Sequence, residues 1–158
     1  MKESDSASSS APTVSLRAVS EDDLQTLYEY QLDPESVRMA AFPSRDWDAH
    51  MAHWHRLLAD ESLTAAAVLM DGAVAGDVVS WEEDGQREVG YWIGRAYWGK
   101  GIATAALSQF LKDWHSPPLH AHVAKHNLGS LRVLEKCGFT VVGESAHGNV
   151  DESILFLG

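Results

Sequence analysis

Residues 88–104 read Glu88-Val89-Gly90-Tyr91-Trp92-Ile93-Gly94-Arg95-Ala96-Tyr97-Trp98-Gly99-Lys100-Gly101-Ile102-Ala103-Thr104. Arg87–Ile93 is a β-prone run and Gly94–Gly101 a glycine-rich connection. Beyond it a helix is predicted, with Ala103, Ala106, Leu107, Phe110, Leu111 and Trp114 at helical spacing. Glycines at 99 and 101 leave the backbone uncovered, so successive N–H groups can converge on phosphate oxygens, and a helix start adds roughly half a positive charge. The segment therefore reads as an anion cradle. It is not a nucleotide P-loop, because Gly101 stands where that loop needs Ser or Thr after Gly-Lys, and no G-x-G-x-x-G suggests a dinucleotide fold. Taken alone, two close glycines are equally compatible with a strand–helix turn that binds nothing.

Upstream, Val14–Val19 alternates like a strand. Ser20-Glu21-Asp22-Asp23 offers an N-cap and first-turn acids to a helix carrying Leu24, Leu27, Tyr28 and Leu32. Asp33-Pro34 opens a short helix, and Asp46–Asp60 a longer one with Met51, Trp54, Leu57 and Leu58 on its apolar stripe. Thr64–Met70 and Ala73–Trp81 are strand runs joined by Asp71-Gly72, a dipeptide suited to positive φ at both turn positions. Glu82-Glu83-Asp84-Gly85 reads as an exposed turn before Arg87–Ile93. Downstream, Pro117-Pro118 stops the helix and Leu119–Ala124 is a strand. Leu128, Leu131 and Leu134 stripe a further helix ended by Cys137-Gly138, and Phe139–Glu144 and Ser153–Leu157 are the last strands. The expected class is α/β, a mixed (α+β) sheet with helices on its faces.

The chain has 158 residues, 12 Lys+Arg, 23 Asp+Glu, a formal net charge of −11 and one cysteine. Residues 1–12 form a Ser/Ala-rich segment expected to be a disordered tail, and 13–158 are expected to form a single domain. One cysteine excludes an intrachain disulfide and a multi-cysteine zinc site. No apolar run reaches the length of a membrane span, and the first residues lack the apolar core of a secretion signal, so a cytoplasmic location is expected. The acidic balance argues against nucleic acid as a partner. Residues 96–136 nevertheless hold Lys100, Lys112, Lys125, Arg132 and Lys136 against Asp113 and Glu135, a locally basic stretch suited to a polyanion.

About 25 residues after the glycine loop lies Asn127-Leu128-Gly129-Ser130-Leu131-Arg132-Val133-Leu134-Glu135-Lys136-Cys137-Gly138-Phe139. The two segments together resemble the GNAT superfamily of acetyl-CoA-dependent N-acetyltransferases, most of all the branch of ribosomal-protein N-terminal acetyltransferases and their small relatives. The resemblance covers Glu88 to Glu144 in motif and Val14 onward in element order. It implies a GNAT-type fold, a central mixed sheet with splayed strands flanked by helices. It also implies acetyl-CoA as co-substrate, with no metal. Gly99, Lys100, Gly101, Ile102, Ala103 and Thr104 would then take the pyrophosphate. Tyr91, Trp92 and Ile93 would pair with the pantetheine arm like an added strand, since splayed strands leave backbone groups for that arm to satisfy. Asn127 would bond the arm near the second splayed strand, with Ser130 beside it. Two positions depart from the family pattern. Ala96 replaces the Gln or Arg frequent three residues before the first glycine. Leu134 replaces a tyrosine that in many members protonates the departing thiolate.

The implied reaction needs a neutral amine, whereas an α-amine titrates near about 8 and a lysine near about 10.4, so a base is needed. Glu88 is the candidate base; alternation puts it on one face with Gly90 and Trp92. The same glutamate equally suits an anchor paired with Arg87 or solvent. Ser130, the only hydroxyl on its helix, is the candidate acid, or else a backbone-bonding serine. His50 and His53 share a helix face as a cleft wall or solvent-facing side, since no carboxylate set completes a metal site. His120 and His122 alternate on a strand. Trp47, Trp54, Trp81 and Trp92 are candidate walls for an acceptor, and Cys137 an inert thiol. The expected function is transfer of an acetyl group to a primary amine by direct attack. The acceptor would be a protein N-terminus or a small cationic amine such as a polyamine or aminoglycoside-like compound, and the protein a monomer or homodimer. The alternative is a catalytically inactive CoA-binding sensor or interaction module.

Overall fold

A computed structural model describes residues 13–158; the tail expected at 1–12 lies outside the described residues. Seven strands form one sheet: β1 Val14–Ala18, β2 Thr64–Met70, β3 Ala73–Glu83, β4 Gln86–Ile93, β5 Leu119–Ala124, β6 Thr140–His147 and β7 Val150–Leu157, in the order β1-β2-β3-β4-β5-β7-β6. The helices are α1 Leu24–Leu32, α2 Pro34–Ala40, α3 Trp47–Ala59, α4 Ile102–Asp113 and α5 Leu128–Lys136. Every neighbouring strand pair is antiparallel except β4 and β5, which are parallel and meet in register only at Glu88 and His120.

Local chemistry sets the boundaries. Before α1 the Asp23 carboxylate accepts from the Ser20 N–H at 2.8 Å and takes both Arg17 guanidinium nitrogens at 2.7 and 2.8 Å, which hold it below the usual carboxylate range. Asp33 and Asp46 cap α2 and α3 by accepting from Ser36 and Ala49 N–H groups. Asp71 and Gly72 have φ of 50° and 87°, the expected two-residue turn. Asp84 and Gly85, at 54° and 79°, make a second one, so β3 runs to Glu83 and β4 starts at Gln86, each beyond its sequence-based limit. Gly148, at φ 62°, turns the β6–β7 hairpin with positive φ at the first position alone, and β6 runs to His147 and β7 starts at Val150 rather than Ser153.

The sheet buries both faces. On one, Ile102, Ala106, Leu107 and Phe110 of α4 and Leu134 of α5 pack on Val68, Val78, Val89, Val123 and Leu155. On the other, Leu24 and Leu27 of α1 and Trp54 of α3 pack on Ala67 and Val79. Leu134, where the resemblance leads one to look for a tyrosine, is wholly inside the first core. β3 reaches β4 through Gly76, where a Cβ would lie 2.1 Å from the Trp92 carbonyl oxygen. Only glycine lets the two backbones come so close beside the end of β4.

Candidate active site

Beyond Glu88 the edge of β4 that faces β5 has no strand partner, and a cavity of about 540 Å³ opens there. Its walls are Tyr91, Trp92 and Ile93 from β4, Gly99, Gly101, Ile102, Ala103 and Thr104 from the glycine turn and α4, and Asn127, Gly129 and Ser130 at the start of α5. Of the residues the sequence singles out for the cofactor, the fold brings all to this wall except Lys100, whose side chain is exposed and outside it. The cations on the wall are Arg132 and Lys136, one turn apart on α5 and without an acidic partner among the described residues.

The cradle is built from backbone. Gly99 and Gly101 have φ of 75° and 77°, a region other residues avoid, and a Cβ at either would project into open space. Gly101 is the N-cap of α4 and makes no side-chain cap bond, so the first N–H groups of a twelve-residue helix face the cavity unfilled. The Trp98 indole N–H donates to the Ile93 carbonyl at 2.8 Å and pins the turn to the end of β4. This open cradle, with two cations beside it, fits the phosphates of a CoA thioester.

At the other end, the Asn127 Oδ1 accepts from the Ser130 N–H at 3.2 Å, capping α5 and leaving its amide hydrogens without a partner among the described residues on the cavity wall. The Ser130 hydroxyl lies 2.6 Å from the Tyr91 hydroxyl. Burial pushes the Tyr91 phenol up to about 12, so it stays protonated and can donate. The sequence marks Tyr91 only for its backbone; its side-chain role is invisible there because its partner is 39 residues away.

The expected base has a different setting. Glu88 lies on the Gly90–Trp92 face, yet it is buried and lines neither this cavity nor the one described next; its Oε1 accepts from His122 Nδ1 at 3.0 Å. His50 is buried and donates from Nε2 to the Leu24 carbonyl at 2.8 Å, fastening α3 to α1. Burial holds its pKa below the usual imidazole value. Among the described residues no group of three or more His, Cys, Asp and Glu is placed to hold a metal ion. Burial pushes the Cys137 thiol up.

A second cavity, about 590 Å³, lies between the sheet and α1 and α3. Trp54, Trp81, Trp92 and Phe42 line it, with Arg45, His53, Asp60, Asp77 and Glu82 among the polar groups on the wall. Trp47 is absent from its lining and instead meets Tyr28 edge-on at 5.1 Å. Ala40, Tyr91 and Trp92 border both cavities.

Comparison with known proteins adds family membership to this geometry. The domain described as "Acetyltransferase (GNAT) domain" matches residues 13–140. "Probable N-acetyltransferase YjcK" of Bacillus subtilis (strain 168) is 46% identical over 56 residues, 32% of this chain and 30% of the relative. "Putative ribosomal N-acetyltransferase YdaF" of the same organism is 30% identical over 102 residues, 60% of this chain and 56% of the relative. The matched stretch thus spans no more than about half the length of these curated relatives. A spermidine N-acetyltransferase from Vibrio cholerae, solved in complex with CoA and spermine, superposes with a TM-score of 0.78 at 19% identity, covering 91% of this chain and 94% of that one. The fold is the one expected.

Proposed function

The chain belongs to the acetyltransferase (GNAT) family, and from that premise we propose that it moves an acetyl group from acetyl-CoA to a primary amine by direct attack. The observation that carries this reading is the coincidence, in one cavity, of an unpaired strand edge and a helix-start glycine cradle. The edge of Tyr91–Ile93 is the surface on which an amide-bearing arm adds as a strand. Gly99, Gly101 and the N–H groups of Ile102–Thr104 receive phosphate, while Arg132 and Lys136 supply the cationic wall in place of Lys100. Asn127 holds the arm with the amide hydrogens its capping oxygen leaves free.

The thioester supplies the activated acyl group. The amine nitrogen forms the new C–N bond, the C–S bond breaks with its electrons to sulfur, and the thiolate takes a proton. Leu134 cannot give that proton. Ser130 can, relayed from the Tyr91 phenol 2.6 Å away. Glu88 suits the anchoring of β4 to β5, because it sits at their one register pair and is held by His122. The border residues Ala40, Tyr91 and Trp92 support an arrangement in which acyl donor and amine approach from opposite cavities.

Titration calorimetry with acetyl-CoA, CoA and ATP tests the cofactor half of this reading. Tight one-site binding of both CoA species with weak ATP binding is expected; equal affinity for ATP contradicts it.

A further inference from the structure

Resting on the acetyl-transfer reading above, we propose that the second cavity takes a primary amine borne on an aromatic or flat apolar body, and that Asp77 is the carboxylate that receives this amine and removes its proton. Asp77 stands on β3 directly opposite Trp92 of β4, so it adjoins the border between the two cavities. Its carboxylate has no hydrogen-bond or ion-pair partner among the described residues, and burial alone pushes it up to about 7. An unpartnered acid among tryptophans is costly to keep unless something outside the chain completes it. An incoming ammonium does so, and a group titrating near neutrality is matched to taking its proton.

The walls define the rest of the acceptor. Trp54, Trp81, Trp92 and Phe42 are flat apolar surfaces. The Arg45 guanidinium shares the cavity, 5.1 Å from the centre of the Phe42 ring, with no carboxylate partner among the described residues. Arg45 opposes a second ammonium placed beside it, while Asp60 and Glu82 stand elsewhere on the wall, so the selection proposed here rests on the aromatic surfaces, which suit a monoamine with an aromatic body. The titratable and charged groups facing Asp77 across this cavity are Arg45, His50 and His53, Asp60, Glu82 and Tyr91. His53 is no rival base, because burial and nearby arginines push it down to about 4. The proton balance closes as follows. Asp77 takes one proton from the ammonium and later releases it to solvent. The lone pair so exposed forms the C–N bond, the C–S bond breaks, and the second nitrogen proton lost balances the one gained by the thiolate.

The test measures thiol release by the full chain saturated with acetyl-CoA, using phenethylamine and spermidine, in wild type and Asp77→Asn. Separate titrations measure binding of acetyl-CoA and of phenethylamine. Phenethylamine should exceed spermidine in kcat/KM by at least about tenfold. Asp77→Asn should lower kcat about 10²-fold at pH 7, with recovery as free amine accumulates at higher pH, and leave the acetyl-CoA Kd unchanged. It should also raise Tm at pH 8, since a neutral amide replaces an unpaired, partly buried carboxylate, an effect opposite to that of a structural residue. Near-native kcat in Asp77→Asn, or preference for spermidine, overturns the proposal. If acetyl-CoA binds but neither amine releases thiol, acetyl transfer fails as a reading. Phenethylamine binding lost in Asp77→Asn then still upholds the amine site, and no phenethylamine binding to wild type overturns that too.

Discussion

The two cavities share Ala40, Tyr91 and Trp92 but are made of different material. The first is made largely of backbone: an unpaired strand edge, two glycines at positive φ and a helix start, with side chains adding charge at Arg132 and Lys136, an amide at Asn127 and the Tyr91–Ser130 hydroxyl pair. The second is made of side chains, tryptophans around Asp77 with Asp60, Glu82 and Arg45 farther along the wall. Backbone recognises what every molecule of one ligand presents, here phosphates and amides. Side chains on separate elements can change one at a time, and that is where selection among acceptors belongs.

The largest effect that sharpens this contrast comes from the cradle. Gly101→Val puts a β-branched residue at φ 77° and fills the space now open to phosphate. Acetyl-CoA affinity should fall by about 10²-fold, or about 2.7 kcal/mol, in calorimetry, while amine binding in the second cavity stays the same. Loss of both would mean the cavities are not independent.

A smaller effect tests the border. Tyr91→Phe removes the phenol 2.6 Å from Ser130 and Ser130→Ala removes the hydroxyl itself. Each should lower turnover about tenfold, because a thiolate is already a fair leaving group with a pKa of about 8.5. The double variant should fall no further than the worse single one. Fully multiplicative losses would show that the two hydroxyls do not act as one relay.

Glu88→Gln separates the two carboxylates that alternation and burial nominate. With Glu88 held by His122 off both cavity walls, the variant should show lower thermal stability and a kcat within about twofold of wild type, by thiol release per folded molecule. A loss of about 10²-fold would return the base role to Glu88.

The smallest effect is on pH-dependent stability. His53 in the folded chain titrates at about 4, below its ordinary 6.5, so the unfolded chain binds more protons between those values and stability is lost as pH falls through that window. His53→Gln should flatten Tm against pH there and leave the profile above about 7 unchanged. An unchanged slope below 6.5 would place the histidine in contact with water.

These tests also follow the line between what was and was not readable in the chain. Gly99, Gly101 and the Asp71-Gly72 turn were readable because a backbone conformation restricts residue type at the position itself. Asp84-Gly85 carries the same signal, yet within the acidic run from Glu82 it reads as a four-residue exposed turn, so the expected β3 and β4 are shorter than the strands the fold forms. Arg132 and Lys136 were visible as part of a basic stretch but not as a pair at one-turn spacing facing the cradle. Alternation put Glu88 on the correct face; burial against His122, 34 residues away, has no local signature. Asp77 is one acid among 23 in sequence, and only the cavity that α1, α3 and Trp81 form with it makes it singular.

Single-turnover mixing tests the central claim most directly. Full-length protein loaded with one equivalent of acetyl-CoA is mixed with excess phenethylamine, and free thiol and amide are quantified together. The account predicts one thiol and one acetylated amine per protein, no acetylated protein in the intact mass, and no thiol release when amine is omitted. Acetyl-CoA held tightly with no amide formed, or acetyl left on the protein, would contradict direct transfer between the two cavities.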